Sequence, residues 1–317
     1  MTRIISIFFF TLCLFNYCVA NFSPIADSSS MEKLLKQGYE DIYDFKFTKA
    51  DSLVVALKWK YPNEKKVFLL LANSCWWKLR SGEDNVTNRK QFLSALQSAA
   101  ALLEKRPKSE LSHEELFYYI HVYSFMARLE LLDDHYFKAF SLINKCSEYL
   151  FTSFGREDAY EPLFLTTGLY NYSIIAAHKK YPPLIPLLLM LPAANKSEGI
   201  KFLNRCCVSS DEILCTEGQY FLMIIYGETD INYPLSESYA EKLCNKHPSN
   251  LLYRYYFYKV LLQEDKKGLA MEQWRALYLS STMNNQISDH QRKYFLTLAQ
   301  KALEKYYLDH PSVGSKQ

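Results

Sequence analysis

Four prolines, Pro62, Pro107, Pro248 and Pro311, each close a stretch whose apolar residues recur at three- and four-residue steps. Proline has no N–H to donate, and its ring clashes with the carbonyl one turn back, so each stretch is a helix that must stop there. A small residue stands twelve positions before each proline: Ala50, Ala95, Ser236 and Ala299. Ala139 keeps the same spacing with Phe151 in the proline's place. A small side chain lets a neighbouring helix approach closely, and the proline ends the helix about three turns later. Ala50, Ala95 and Ala139 follow one another at steps of 45 and 44 residues, so the pattern is an internal repeat of helical units.

Helix starts are as visible as the stops. Ser29 with Glu32, Ser112 with Glu115, Ser209 with Glu212 and Ser288 with Gln291 all have the capping-box spacing, in which the hydroxyl and the acidic or amide side chain satisfy each other's backbone N–H. The spacing predicts helices at about 30–44, 48–60, 64–81, 88–105, 112–132, 135–150, 158–178, 197–207, 211–227, 235–246, 250–263, 267–283 and 289–308. Within 112–132, Leu116, Tyr119, Ile120, Tyr123, Ala127 and Leu131 line one face. After the polar turn Asp133–Asp134 the next helix is expected to bury Phe137, Phe140, Ile143 and Ser147. So short a turn makes the two helices antiparallel neighbours. With only 9 glycines in 317 residues, a sheet fold built on tight turns is disfavoured. The 45 Tyr and Phe side chains (25 and 20) suit thick helix interfaces. The fold class expected is all-α, an α-α superhelix of about six antiparallel helix pairs in one domain, residues 21–317.

Phe47-x-x-Ala50 followed by Tyr61-Pro62-Asn63 resembles the second helix of a tetratricopeptide unit, as does Ser236-x-x-Tyr239-Ala240 followed by His247-Pro248-Ser249-Asn250. Gly168-Leu169-Tyr170-x-Tyr172, Leu191-Pro192, Gly199-Ile200-x-x-Leu203, Glu217 and Tyr226 extend a likeness to exported bacterial tetratricopeptide-like proteins across about residues 30–310. The unit here is longer than the ~34 residues of a regular one, and the usual Trp-Leu-Gly-Tyr residues of a first helix are largely missing. The resemblance implies a TPR-like solenoid of stacked helix pairs whose inner groove takes a peptide or protein segment. It implies no catalytic residues.

The N-terminus has the layout of a secretory signal: Arg3, the apolar run Ile4–Phe15, then Cys18-Val19-Ala20 with small residues at the cleavage positions. Residues 1–20 are therefore expected to be removed near Ala20, leaving a periplasmic or extracellular chain. An uncleaved anchor is the alternative, although Asn16 and Tyr17 interrupt the run, and Tyr17 opposes lipidation of Cys18. Export would permit disulfides among Cys75, Cys146, Cys206, Cys207, Cys215 and Cys244. Fifteen connectivities are open, Cys206 to Cys215 or to Cys244 being geometrically conceivable, against the simpler expectation of small buried thiols.

Catalytic chemistry finds little footing. His113-Glu114-Glu115 lacks the second histidine of a zinc helix, because Phe117 stands there, and His121 alone does not replace it. The clustered Glu157, Asp158 and Glu161 suit a helix N-terminus. No nucleophile elbow, P-loop or dinucleotide fingerprint occurs, and the net charge of +3, without a basic run, does not point to nucleic acid. An all-α cell-wall glycosidase would need a catalytic glutamate in a separate domain, and none is identifiable. No cofactor or metal is expected. The function expected is that of an exported, non-enzymatic binding protein for a protein or peptide partner. The alternative is a binder of a lipid or other hydrophobic small molecule through the proline-rich apolar segment 181–192, with membrane association only if the leader stays attached. Candidate contact residues are Tyr181, Leu184, Ile185, Leu188 and Met190 in that segment, and Tyr255 and Tyr258 in the tyrosine run. Trp76-Trp77 and that run are expected mainly to pack between helices.

Overall fold

The computed structural model describes residues 28–103, 107–180 and 185–310; the expected leader at 1–20, Pro311, Tyr181 and Leu184 lie outside them. By their contacts residues 1–34 and 35–317 are separate units, and the helix packing is that of the second. All regular structure among the described residues is helical. The helices are α1 (Ser28–Tyr43), α2 (Phe47–Lys60), α3 (Lys65–Arg80), α4 (Val86–Ala101), α5 (His113–Leu132), α6 (Tyr136–Ser153) and α7 (Pro162–Lys180). They continue with the short α8 (Ile185–Leu188), α9 (Lys196–Cys207), α10 (Glu212–Ile224), α11 (Tyr233–Lys246), α12 (Leu251–Gln263), α13 (Lys267–Met283) and α14 (Asp289–Asp309). Consecutive helices pack as pairs, α3 on α4, α5 on α6, α7 on α9, α10 on α11 and α12 on α13; α2 touches the first of these through α3, and each pair touches the next through α4–α5, α5–α7, α9–α10 and α11–α12. No helix among the described residues is long and apolar enough to cross a membrane.

Three of the connections share one backbone. Phe45, Asp134 and Asp265 sit at φ of 57°, 56° and 57°. Lys46, His135 and Lys266 follow at φ/ψ of −86°/53°, −82°/61° and −84°/58°. Each turn closes with a hydrogen bond from the residue before the new helix to a carbonyl five back: Lys46 N to Asp41 O at 2.7 Å, His135 N to Glu130 O at 2.9 Å and Lys266 N to Leu261 O at 2.9 Å. That is a left-handed cap satisfying a helix's last carbonyls while the chain reverses. Three residues into the following helix stands the small side chain the turn needs, Ala50, Ala139 and Ala270, all essentially without exposure. Gly199 and Ser236 hold the same fourth place in α9 and α11, and both are buried. Two of the residues that set the sequence repeat, Ala95 and Ala299, lie in mid-helix instead, also buried.

Several local expectations shift. The capping boxes at Ser112/Glu115 and Ser288/Gln291 are complete. At α10 the cap is Asp211, whose carboxylate accepts from Ile213 N and Leu214 N, while Ser209 reaches across to Glu161. An aspartate one residue before the helix is better placed than a serine three before it. α1 already runs at Ser28, and the Ser29 side chain lies outside the described residues. The face of α6 is rotated from the one expected: Phe137 is 83% exposed, and Ala139, Cys146, Ser147, Leu150 and Ser153 are buried. The six cysteines from Cys75 to Cys244 are free thiols, so neither pairing of Cys206 is formed. Burial pushes the thiol of Cys75 up to about 11 and those of Cys146 and Cys244 to about 12, which keeps them protonated.

The array of pairs meets itself. Asn250, the cap of α12, accepts from Leu252 N and Tyr253 N and donates its amide to the Tyr43 carbonyl at the end of α1, at 2.7 Å. Phe45 packs on Phe295 of α14 at 6.0 Å between ring centres, and Gln291 of α14 donates to the Ser81 hydroxyl beyond α3, at 2.6 Å. His247, 1% exposed, lies against the Tyr43 ring and within 3.4 Å of Asp44. The His247-Pro248-Ser249-Asn250 motif thus ends one helix, caps the next and fastens the first hairpin to the C-terminal ones.

Candidate functional site

The helices that open three of the pairs, α3, α5 and α10, bring their inward faces together around a cavity of about 110 Å³. Its lining comes from α3 (Asn73, Trp76, Trp77, Arg80), α5 (Phe125, Arg128) and α10 (Glu217, Tyr220, Phe221). The spacing explains the convergence. Asn73, Trp76, Trp77 and Arg80 step by three, one and three along α3, and His121, Phe125 and Arg128 by four and three along α5, so each set projects from one face. Trp77 is the hub of the wall. Its ring lies 5.2 Å from Tyr220, 5.6 Å from Tyr253 and 5.6 Å from Tyr43, the last two edge-on. Trp76 and Phe92 close the other side on Phe125.

Into this aromatic frame the chain places three charge-bearing groups. Glu217 accepts a hydrogen bond from the Tyr43 hydroxyl at 2.7 Å. Burial raises the Glu217 carboxyl above its ordinary range, against the opposing pull of Tyr43 and Arg128. Arg128 lies over Phe125 at 4.9 Å and Phe221 at 5.3 Å. Burial holds its guanidinium below the ordinary value, with Glu217 working the other way. Among the described residues it has no hydrogen-bond acceptor and no carboxylate within ion-pair distance. Tyr220, and less so Tyr256 and Tyr294, hold the Arg80 guanidinium above its ordinary value against burial. Beside them His121 is packed between Phe125 at 4.4 Å and Phe117 at 5.6 Å, its Nε2 buried and without a partner. Burial, and secondarily Arg128, push His121 down to about 3, so it is neutral at any ordinary pH. Asn73, 3% exposed, leaves its Oδ1 buried and unpartnered. Unmatched polar atoms are costly in a core, and Asn73 places one of them in the lining of this cavity.

The residues singled out from sequence are scattered by comparison. Ile185 is half-buried, Leu188 is 3% exposed within a core cluster with Ile120, Cys146, Leu150, Leu163, Tyr170, Ile174 and Leu191, and Met190 is 75% exposed. Tyr255 is half-buried, and Tyr258 is buried, its phenol pushed up to about 12. The proline-rich stretch thus sends Leu188 and Leu191 inward and leaves Leu189 and Met190 outside, away from the cavity. Glu157 is buried and accepts from Thr167, and Asp158 pairs with Arg205 at 2.7 Å, both structural uses. No cluster of three metal-ligating side chains occurs among the described residues.

Sequence reasoning did not select Asn73, Arg80, Phe125, Arg128, Tyr220 or Phe221. The signal was there: a polar or charged residue at helical spacing on faces whose neighbours on both sides are buried. Arg128 in Phe-Met-Ala-Arg-Leu-Glu is such a residue, flanked by the buried Ala127 and Leu129. No family model matches the chain, and no curated protein or solved structure matches it either.

Proposed function

We propose that this chain is an exported, non-enzymatic binding protein of tetratricopeptide-like helix pairs. It takes a segment of a protein or peptide partner on the face made by α3, α5 and α10, after its leader is removed near Ala20. The observation that carries the reading is the convergence of Trp76, Phe125, Arg128 and Phe221 on one cavity, from the first helices of three of the pairs. An interface anchored by aromatic and arginine side chains around a recess is where binding energy concentrates. The capping motifs, prolines and small residues of the sequence supply the tetratricopeptide likeness, and the Arg3–Ala20 layout supplies export.

The test is site-specific photo-crosslinking in the native envelope, with the reactive residue at Trp76 or Phe221 and, as a control, at Val55, which is 69% exposed on α2. The reading expects one defined polypeptide to be trapped from the inner positions and not from position 55. Equal trapping at position 55, or lipid rather than polypeptide at the inner positions, would overturn it. A mass for the purified chain that includes residues 1–20 would overturn the export half separately.

A further inference from the structure

We infer that the cavity between α3, α5 and α10 is a binding site for a small free carboxylic acid with a flat apolar body, held as its monoanion. The inference concerns the same cavity as the proposed partner site, and the small acid and the peptide titrated below distinguish the two readings. Arg128 decides the chemistry of the ligand. Its guanidinium carbon lies 4.9 Å and 5.3 Å from the ring centres of Phe125 and Phe221. What a stacked guanidinium keeps free is its edge, the fork of parallel N–H donors that matches a carboxylate. Among the described residues nothing fills that edge. Glu217, the carboxylate nearest in role, is held by the Tyr43 hydroxyl at 2.7 Å instead.

The other lining groups narrow the class. Arg80 adds a second cation to the lining against the one carboxyl of Glu217, and His121 beside it is neutral, so the groups around the cavity are positive in balance. An anion is what such a lining attracts. Asn73 offers a buried Oδ1 with no partner, a place for one polar substituent of the ligand. The remaining wall is Trp76, Trp77, Phe125 and Phe221, which favours a planar apolar body. At about 110 Å³ the cavity is a little smaller than the ~150 Å³ that accepts a benzene ring in an apolar core. A single ring with its carboxylate on Arg128 and its far edge toward the opening is the upper limit of size.

The experiment is calorimetric titration of the whole exported chain with benzoate, with benzamide as its neutral counterpart, and with a short peptide whose C-terminal carboxylate is free. Benzoate is expected to bind saturably, and benzamide to bind about tenfold more weakly or worse, as loss of a charge-assisted hydrogen-bond pair requires. Arg128→Met is expected to weaken benzoate by about tenfold. Arg89→Met, which removes an exposed pair to Asp84 and Asp133, should leave benzoate binding unchanged. Equal binding of benzoate and benzamide, no saturable benzoate binding, or binding of the peptide alone would each overturn the inference. Should Arg128→Met fail to fold, judged by circular dichroism, the comparison of the two ligands on the unaltered chain decides.

Discussion

The α1/α2 and α5/α6 hairpins turn on the same backbone and spend it differently. Phe45 and Asp134 occupy the same left-handed position, at φ 57° and 56°. Asp134 is exposed and accepts from the Tyr136 hydroxyl at 2.7 Å, whereas Phe45 is wholly buried against Phe47, Trp77 and Phe295. Aspartate tolerates that region, and a bulky aromatic there is an outlier whose strain must be offset by its surroundings. The first hairpin accepts the strain because its turn is also the place where the C-terminal helices land. At the turn between the fifth and sixth helices the contact with another helix is made one residue earlier, by Asp133 to Arg89 of α4, and Asp134 itself takes only the local bond from Tyr136 among the described residues. The same left-handed position therefore carries a buried tertiary contact in one place and an exposed local bond in the other.

One substitution made at both turns separates the two roles. Phe45→Gly removes the strain, worth ~1 kcal/mol, and also deletes a fully buried ring, which costs ~3–5 kcal/mol. The expected result is a net loss of several kcal/mol in urea unfolding, with α14 loosening first in hydrogen exchange. A neutral or stabilising outcome would mean that the contact with Phe295 contributes little to holding the ends of the array together.

The inward faces of the same two hairpins differ as sharply. The Tyr43 hydroxyl of α1 is satisfied by Glu217, whereas His121 of α5 has a buried nitrogen with no partner. His121 titrates at about 3 when folded and near its ordinary 6.5 when unfolded. Its folded value is depressed, so below 6.5 the unfolded chain binds a proton that the folded chain refuses. Stability is lost as pH falls from about 6.5 toward 3, by at most ~1.4 kcal/mol per pH unit. His121→Phe, nearly the same shape, should flatten that part of the profile relative to the unaltered chain. Parallel profiles for the two would show that His121 picks up its proton in the folded state.

A third hairpin, α7/α9, sharpens the comparison because it lacks the shared turn. Its helices are joined through the proline-rich stretch and α8, and their register rests on glycines. A Cβ on Gly199 would stand 2.7 Å from Tyr172 N and 2.9 Å from Gly168 O, both backbone atoms that have no room to yield. Alanine gains ~1 kcal/mol of helix propensity over glycine, and the clash outweighs it. Gly199→Ala is expected to lower stability by ~1–3 kcal/mol and to expose the α7–α9 seam to proteolysis, where the α1/α2, α5/α6 and α12/α13 hairpins share the closed turn. No change on substitution would mean the two helices are free to slide apart.

These differences explain what the sequence could and could not disclose. Helices, their stops and two of the capping boxes follow from rules that act over four or five residues, so Pro62, Pro248, Ser112 and Ser288 declare themselves. The face of α6 was misjudged because Phe137 is apolar yet 83% exposed, and only the neighbouring helix decides that Ala139 turns inward. The cavity was invisible for a related reason. Arg80, Arg128 and Glu217 stand far apart in the chain, and each alone reads as a charge among apolar residues. What makes them a group is the return of the C-terminal pairs onto the first, through Asn250, Tyr43 and Trp77, which no local pattern records. Leu188 and Tyr258 show the converse, since their apolar and aromatic character marked them out in sequence and was spent on the core.

The smallest effect is the most discriminating. Asp134→Gly makes the substitution of the first prediction at an exposed residue whose hydrogen bond is local, leaving the neighbouring Asp133–Arg89 pair in place. Glycine is free in the left-handed region, a gain of ~1 kcal/mol over aspartate. Two losses oppose it: the exposed hydrogen bond from Tyr136 and the greater freedom glycine gives the unfolded chain. The balance is a stabilisation of ~0.5 kcal/mol or less, read as a rise in the urea midpoint at unchanged slope. Its sign is opposite to that of Phe45→Gly although the backbone change is the same. If Asp134→Gly instead destabilises by as much as Phe45→Gly, then the turn geometry itself is what holds the pairs, and the contact at Phe45 is incidental.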